Sequence, residues 1–165
     1  MTPLPFSIRP LTPADAAWVR ELVSERWGSE SIAAHGELFY PATLPGYVAL
    51  RAQGPVGLVT FRFDADRSCE IVTLDSLRAG SGVGTALVGA VLRAAEEQGS
   101  RRVWLVTTND NLPALRFWQR RGFVLVALHR DAVTRARLLK PTIPTLGEQG
   151  IPIRDELELE RRLDA

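Results

Sequence analysis

The sequence predicts an α/β fold (α+β in some schemes), in which a mixed, mostly antiparallel sheet of about six or seven strands packs with about four helices. Two observations carry this prediction. Short strand-like segments and amphipathic helical segments are distributed along the whole chain of 165 residues. The early strands are separated by short turns, which favours antiparallel hairpins, whereas helices separate the later strands, which favours a parallel crossover.

The first half of the chain predicts four strands and one long helix. The strands are expected over 6–11, 47–53, 56–64 and 68–77. The helix begins at Thr12 and Pro13, an N-cap residue followed by proline in the first turn, and it ends at Gly28. Residues 29–46 are ambiguous, and we expect a short helix near 30–36 followed by a loop.

The second half predicts helices alternating with strands. Helices are expected over about 82–98 and 109–121, with further helical structure in 131–140, and strands over 101–108, 123–130 and 156–163. Proline and glycine make 141–155 irregular. The last strand alternates leucine with glutamate, which predicts leucines facing inward and glutamates facing outward.

Length and composition are those of an ordinary globular chain and exclude several functions. We expect a single domain over 1–165. The net charge of +1 gives no reason to expect a nucleic-acid or membrane partner. Cys69 is the only cysteine, which excludes an internal disulfide. The start of the chain lacks a signal-peptide pattern and no apolar run reaches membrane-spanning length, so we expect a cytoplasmic protein.

A glycine-rich segment predicts a phosphate site. Gly80, Gly82 and Gly84 precede a helical apolar pattern, and without Cβ atoms they let a ligand approach the backbone. The free N–H groups and positive end of the following helix favour an anion. A P-loop is excluded because no lysine stands between Gly84 and Thr85, and a dinucleotide fingerprint because Thr85 occupies its third glycine position. A tight turn without a ligand remains the alternative.

This segment and a second one, 109–123, together resemble the GNAT acyltransferase superfamily. The family's phosphate loop has glutamine or arginine three residues before a Gly-x-Gly or Gly-x-Ala ending. Gly82 and Gly84 fit that ending, but Ala79 stands at the Gln/Arg position and Arg78 lies one residue early.

The second segment carries the family's N-x-x-A…G-F pattern. The matching residues are Asn111, Ala114, Phe117, Gly122 and Phe123. Trp118 replaces the family's usual tyrosine. With the opening segment, which resembles the family's first strand and helix, the resemblance covers about 6–130.

The resemblance implies acetyl-CoA as co-substrate and splayed central parallel strands, between which pantetheine pairs like an added strand. The cofactor-binding residues that it implies are Val72, Leu74, Asp75, Ser76, Ala79, Gly80, Gly82, Val83, Gly84, Thr85 and Asn111. Asn111 could instead cap its helix, a role that Asn109 or Asp110 could also fill. No metal is expected, because His35 and His129 are too few and too scattered.

Acetyl transfer to an amine requires a proton acceptor, because alkylamines have a pKa of roughly 10. Glu70 is the candidate base. It lies a few residues before the glycine loop, where several family members carry a glutamate, and strand alternation places it on one face with Val72, Leu74 and Ser76. Asp75 is the second candidate. A solvent-facing or arginine-paired Glu70 is the alternative.

The family's usual general acid, a tyrosine, is missing. The indole of Trp118 cannot protonate a thiolate, so we expect Trp118 in the core and solvent as the proton source, since a thiol has a pKa of about 8.5. Tyr40 or Tyr47 is the alternative acid. Cys69 is expected to pack rather than to act as a nucleophile.

The acceptor site is expected among residues 26–47, the hairpin and the tail 140–155, with Trp27 and Tyr40 as substrate-binding candidates. We therefore predict an N-acetyltransferase that moves acetyl from acetyl-CoA to a primary amine of a small molecule or peptide by direct attack in a ternary complex. The alternatives are a protein lysine or N-terminal acetyltransferase, a non-catalytic acyl-CoA-binding regulatory module, and an interaction protein that kept the fold. The resemblance also favours a homodimer.

Overall fold

A computed structural model describes residues 5–163, so the ends of the predicted domain, 1–4 and 164–165, lie outside the described residues. The elements are β1 (Ser7–Pro10), α1 (Ala16–Trp27), β2 (Ile32–Ala34), β3 (Glu37–Phe39), β4 (Gly46–Arg51), β5 (Gly54–Phe63), β6 (Ser68–Ser76), α2 (Val83–Glu97), β7 (Arg102–Thr108), α3 (Leu112–Gln119), β8 (Val124–His129), α4 (Ala132–Ala136) and β9 (Glu156–Arg162). No helix in the described part is both long and apolar enough to cross a membrane.

Seven of the strands form one sheet in the order β1-β4-β5-β6-β7-β9-β8, and β2 and β3 form a separate hairpin. The neighbours β6 and β7 run parallel, while every other neighbouring pair in the sheet is antiparallel. The helix α2 connects the two parallel strands, as a crossover must. The predicted fold class is confirmed.

The two parallel strands diverge after a short paired stretch. Pairing starts at Ser68 with Arg102 and ends at Glu70 with Trp104, although β6 continues to Ser76 and β7 to Thr108. Each strand keeps its other neighbour, β5 or β9, along this stretch. The sheet therefore opens between β6 and β7, which is the splay that the resemblance implies.

A bulge in β6 lies where the splay begins. Thr60 of β5 pairs with Thr73, but the next residue of β5, Phe61, pairs with Ile71. Val72 is therefore an extra residue in β6, and the alternation of its side chains is reset at this point.

The bulge changes which residues of β6 share a face of the sheet with Glu70. Val72 packs with the cluster beneath α1, whereas Leu74 packs with the cluster beneath α2 on the opposite face of the sheet. The prediction that Leu74 and Ser76 share a face with Glu70 is therefore wrong. A single extra residue shifts the two-residue period of a strand, so Asp75 takes the α1 side instead.

Trp118 lies in the core, as predicted. The larger hydrophobic cluster fills the space between the sheet and the helices α2 and α3, and Trp118 is buried within it. Its ring makes edge contacts with Phe117 and Phe123, both with centroids 5.0 Å away. Aromatic pairs in this arrangement contribute beyond the area that they bury. The tryptophan therefore serves packing.

The helix predicted near 30–36 is wrong, because this segment forms the β2–β3 hairpin. The two residues at its turn, His35 and Gly36, have φ of 36° and 85°, the left-handed values that a tight two-residue hairpin turn requires. Ile32 and Phe39 pair across the two strands and are buried in the cluster beneath α1. Burial against α1 decides the structure of this segment.

The predicted outward orientation of the last strand's glutamates is also wrong. Leu159 is buried as expected, but Glu156 is buried too, and Arg102 Nη1 contacts Glu158 at 3.1 Å and Glu160 at 2.8 Å. The strand β9 lies between β7 and β8 rather than at an edge. Its carboxylates therefore meet neighbouring side chains instead of water.

Candidate active site

The splay between β6 and β7 leads into three adjoining cavities, all of which share Trp27 and Thr108. The inner cavity, of about 90 Å³, lies between the strands and is lined by Glu70, Val72, Val106, Asn111 and Glu156 among others. The outer cavity, of about 300 Å³, includes Asp75, Asp110, Asn111 and Glu148. The tail cavity, of about 400 Å³, is bounded by α1, β2 and the irregular segment 140–153.

The glycine loop opens beside the start of α2. Gly80 and Gly82 have φ of 71° and 79°, and nothing lies within 4 Å of the place where a Cβ would be. Both positions need glycine for their backbone conformation, and both leave the backbone open to a ligand. The first N–H groups of α2 have no partner within the helix and face this loop. The arrangement can hold an anion.

Gly84 has a different role from the other two glycines. A Cβ at Gly84 would lie 3.1 Å from the ring of Phe117, so the missing side chain allows α2 to pack closely against α3. Val83 is buried, and only its backbone can face a ligand. Among the glycines predicted to bind phosphate, Gly80 and Gly82 are the two with open space where a Cβ would lie.

Three arginines that the sequence analysis did not single out lie beside the loop. Arg116, Arg120 and Arg121 line a cavity of about 530 Å³ together with Gly80 and Thr85. The guanidinium carbon of Arg121 lies 3.4 Å from the ring centroid of Phe117, and its Nε donates to Thr85 Oγ1 at 3.1 Å. These arginines would add positive charge beside any anion that the backbone of the loop holds. The adjacent arginines Arg120 and Arg121 are the sequence feature that could have indicated this positive charge.

The other predicted cofactor residues divide into two groups. Ala79 is exposed in the loop, Ser76 donates its hydroxyl to Arg78 O at 3.0 Å, and Leu74 packs in the core. These residues therefore offer backbone rather than side-chain groups to a ligand. Asp75 lines the outer cavity.

Asn111 caps α3 and also lines the cleft. Its Oδ1 accepts from the backbone N–H of Ala114 at 3.2 Å, which is the helix-cap alternative. The same residue contributes to the inner and outer cavities. Among the described residues its Nδ2 has no acceptor, so this donor is available to a molecule in the splay. Asn109 instead binds the backbone of Arg154 and Asp155 in the tail.

Glu70 is buried, with 1% of its surface exposed, and has two side-chain partners. His35 Nε2 lies 2.6 Å from Oε1, and Arg62 Nε donates to Oε2 at 2.9 Å. Burial alone lowers the pKa of His35, but the hydrogen bond to Glu70 and the charges of Glu70, Glu37 and Glu156 outweigh it and raise the pKa. Glu70 is therefore paired with an arginine, which was the alternative expectation. It is also paired with a histidine, His35, which no pattern in the sequence placed beside it.

Glu156 is a second buried carboxylate in the cleft, and the sequence analysis missed it. Both of its oxygens lie 3.1 Å from the backbone N–H of His35, which donates to them. Burial raises the pKa of Glu156, although the backbone N–H and positive charges nearby act in the opposite direction. Because Glu156 lines both the inner and the tail cavities, it stands at their junction.

The structure brings Trp27 to the site but not the tyrosines. Trp27 lines all three cavities, and its Nε1 donates to Asp75 Oδ2 at 3.3 Å. Tyr40 is 52% exposed and lines none of them. Tyr47 stacks on Phe61 against the core beneath α2. Neither tyrosine is placed as a substitute general acid.

Cys69 is buried in the core, next to the site in sequence. Burial, together with the charges of Asp64 and Glu70, raises the pKa of the thiol to about 12. The thiol is therefore protonated at neutral pH, which agrees with a packing role. Within residues 5–163 no three His, Cys, Asp or Glu side chains are grouped to hold a metal ion.

Several solved structures share this architecture. An IAA acetyltransferase from Bacillus cereus ATCC 14579 aligns with a TM-score of 0.71 and 19% identity over 96% of this chain and 99% of its own. A Bacillus subtilis acetyltransferase in complex with CoA aligns with a TM-score of 0.67 and 19% identity over 98% and 99%. A GNAT family acetyltransferase from Elizabethkingia anophelis with acetyl-CoA bound aligns with a TM-score of 0.67 and 18% identity over 96% and 99%. At these identities the likeness shows a shared fold.

Sequence relatives extend the comparison. The uncharacterised Bacillus subtilis (strain 168) protein YxbD is 41% identical over 149 residues, covering 87% of this chain and 93% of its own. The uncharacterised protein YdhI of the same strain is 37% identical over 145 residues, covering 87% and 90%. The model of the Acetyltransferase (GNAT) family matches residues 15–123, which include the glycine loop and the N-x-x-A…G-F segment. The chain therefore belongs to the GNAT acetyltransferase family.

Proposed function

We propose that the protein transfers an acetyl group from acetyl-CoA to a primary amine by direct attack in a ternary complex. The observation that carries this proposal is the splay between β6 and β7, with an open glycine loop at one end and buried carboxylates at the other. Related folds crystallised with CoA or acetyl-CoA support the same co-substrate. The single buried thiol of Cys69 agrees with a reducing, cytoplasmic compartment.

The residues around the splay fit acetyl-CoA. The backbone at Gly80 and Gly82 and the first N–H groups of α2 would hold the pyrophosphate, with Arg116, Arg120 and Arg121 supplying positive charge. The free edge of β6 beyond Val72 would pair with the pantetheine amides in the manner of an added strand. Asn111 Nδ2 would donate to the same arm.

We assign removal of the amine proton to Glu70, directly or through water. The amine nitrogen forms a bond to the thioester carbonyl carbon, the carbon–sulfur bond breaks, and the sulfur leaves as a thiolate that solvent protonates. The amine proton passes to a carboxylate. Glu70 lies in the inner cavity, and His35 and Arg62 hold its carboxylate in one orientation.

The first test is calorimetric titration with acetyl-CoA. Gly82→Asp places a carboxylate and a side chain in the loop, and we expect at least about a tenfold loss of affinity from charge repulsion alone. Gly99→Asp is the matched control, since Gly99 has the same left-handed backbone (φ 68°) just beyond the other end of α2. No binding to the unmodified protein, or equal binding by both variants, would contradict the phosphate-loop assignment.

A second candidate function is a non-catalytic acyl-CoA-binding module. The burial of Trp118 at the usual tyrosine position favours it, because the site then lacks the family's general acid. Release of free CoA in the presence of amines separates the two functions. Turnover that falls in Glu70→Gln while acetyl-CoA affinity is retained supports the enzyme, and binding without turnover on any small amine or peptide supports the module.

We also propose that the protein forms a homodimer. The edge strand β8 supports this proposal, since Val124, Leu125, Val126 and Leu128 on it are all largely exposed. An exposed apolar edge strand can pair with another chain, and contiguous exposed apolar surface often marks an interaction site.

A further inference from the structure

We propose that the tail cavity is the acceptor site and that it takes a primary amine carried on an apolar body, with the ammonium group at Glu156. This inference rests on the proposed acetyl transfer and adds the class of acceptor. It is carried by the position of the cavity, by its lining, and by the placement of its charged groups.

The position of the tail cavity connects it to the site of the reaction. It shares Trp27, Ile32, Ala33, Thr108 and Glu156 with the inner cavity. The inner cavity holds only about 90 Å³, which accommodates the reacting groups but not the body of a substrate. The adjoining tail cavity offers about 400 Å³, within the ordinary range for small-molecule sites.

The walls of the tail cavity are mainly apolar. Ile32 of β2 and Val133 of α4 form one part, and Ile143, Pro144 and Ile153 of the tail form the other. Ile32 and Val133 are buried, whereas Ile143 and Ile153 are only half-buried and so retain surface to offer. A hydrocarbon body would cover this surface and exclude water from it.

The tail that forms these walls is held in place by defined bonds. Lys140, the only lysine of the chain, donates Nζ hydrogen bonds to Trp27 O and Ser31 O, both at 2.7 Å. Arg137 Nη2 donates to Pro144 O and Ile153 O, also at 2.7 Å. The cavity is therefore built into the fold rather than left by a loose loop.

The charged groups favour an acceptor with one ammonium group. Among the described residues Glu156 is the only carboxylate in the lining, and it lies at the inner end, toward the splay. Lys140 also lines the tail cavity and not the outer one, and it would repel a second positive charge on the acceptor, whereas Arg26 lines both cavities. A polyamine would instead suit the outer cavity, where Asp75, Asp110 and Glu148 lie. The two classes of amine therefore distinguish the two cavities.

The test compares amines of equal size with saturating acetyl-CoA. Hexylamine and 1,5-diaminopentane have the same number of heavy atoms and differ in one terminal charge. We expect a kcat/KM at least about tenfold higher for hexylamine, since an apolar wall discriminates strongly against a charge. A preference for the diamine or for spermidine overturns the inference and assigns the acceptor to the outer cavity. Acetyl-CoA binding without acetylation of any apolar amine also overturns it.

Variants locate the effect in the cavity. Ile153→Asp should lower kcat/KM for hexylamine about tenfold or more. Leu138→Asp changes an exposed leucine between α4 and the tail and should not change it. Glu156→Gln keeps an oxygen for the His35 N–H and should raise the KM for hexylamine with unchanged acetyl-CoA affinity. An equal kcat/KM for hexylamine with Ile153→Asp and with the unmodified protein would contradict the inference. If a variant fails to fold, the comparison of the two amines on the unmodified protein still tests it. If the unmodified protein does not bind acetyl-CoA, that result instead refutes the proposed function.

Discussion

At the residue scale, the cleft is organised around His35. Its ring contacts Glu70 at 2.6 Å while its backbone N–H donates to Glu156, so one residue of the β2–β3 turn ties two buried carboxylates together. His35 has a left-handed backbone, with φ of 36°, because it lies in the tight turn of the hairpin. A histidine in this position links the hairpin to the splay. Its loss should affect stability as well as activity.

The raised pKa of His35 predicts a specific pH dependence of stability. A group whose pKa is raised on folding contributes stability that is complete below its unfolded pKa of about 6.5 and is lost as the pH rises through the folded pKa. We expect His35→Gln to cost about 1 kcal/mol more at roughly pH 6 than at roughly pH 9. Urea unfolding at the two pH values measures this difference. An equal cost for His35→Gln at both pH values would contradict the assignment.

At the element scale, the glycines of α2 and its N-cap differ in whether the structure requires glycine at their position. Gly84 allows close packing against Phe117. Gly82 has a φ of 79°, a backbone conformation that residues with a side chain rarely adopt. Gly89 has an ordinary helical backbone, and a Cβ there would meet only Arg93 Nη1 at 3.5 Å. Glycine within a helix loses more conformational entropy on folding than alanine does.

Substitutions in α2 should therefore change stability in opposite directions. We expect Gly89→Ala to raise the free energy of unfolding by about 0.5–1 kcal/mol, because alanine is the better helix former. Gly84→Leu should lower it by about 1–3 kcal/mol through overpacking against Phe117. Urea unfolding of the two variants provides the comparison. Equal effects of the two substitutions would show that contact between α2 and α3 does not constrain Gly84.

At the scale of the whole molecule, the sheet ends in an apolar edge. The strand β8 pairs with β9 on one side, and within the described chain no strand covers its other side. Leu128 on this strand is 61% exposed. An uncovered apolar edge strand favours association with a second copy of the chain.

The dimer prediction is tested by sedimentation velocity over a range of concentrations. We expect the unmodified protein to sediment as a dimer and Leu128→Lys to sediment as a monomer, because a charge at the edge opposes strand-to-strand contact. Leu146→Lys changes an equally exposed leucine of the tail and should leave the dimer intact. A monomer at every concentration of the unmodified protein would refute the prediction.

Much of the molecule follows from local patterns. The glycine loop and the long helix α2 depend on residues close together in the sequence, and both lie where they were predicted. The cap of α3 also depends on neighbouring residues, but it is Asn111, the alternative role given for that residue, rather than Asn109 or Asp110. The resemblance carried by the same segments implied the splayed strands, and the family is confirmed by the match over residues 15–123. These features could be predicted because backbone conformation, capping and apolar periodicity act over a few residues.

Only the tertiary structure decided which distant groups meet. The β2–β3 hairpin forms because Ile32 and Phe39 are buried under α1, a contact that no local pattern of 30–36 contains. Glu156 is buried because the turn of the β2–β3 hairpin packs on its face of the sheet, where the His35 N–H donates to it. The bulge at Val72 resets the face of β6 because the register with β5 shifts there. Burial and strand neighbours are set by the whole fold. The sequence by itself therefore determined the family and the glycine loop, and the fold determined which side chains surround the cleft.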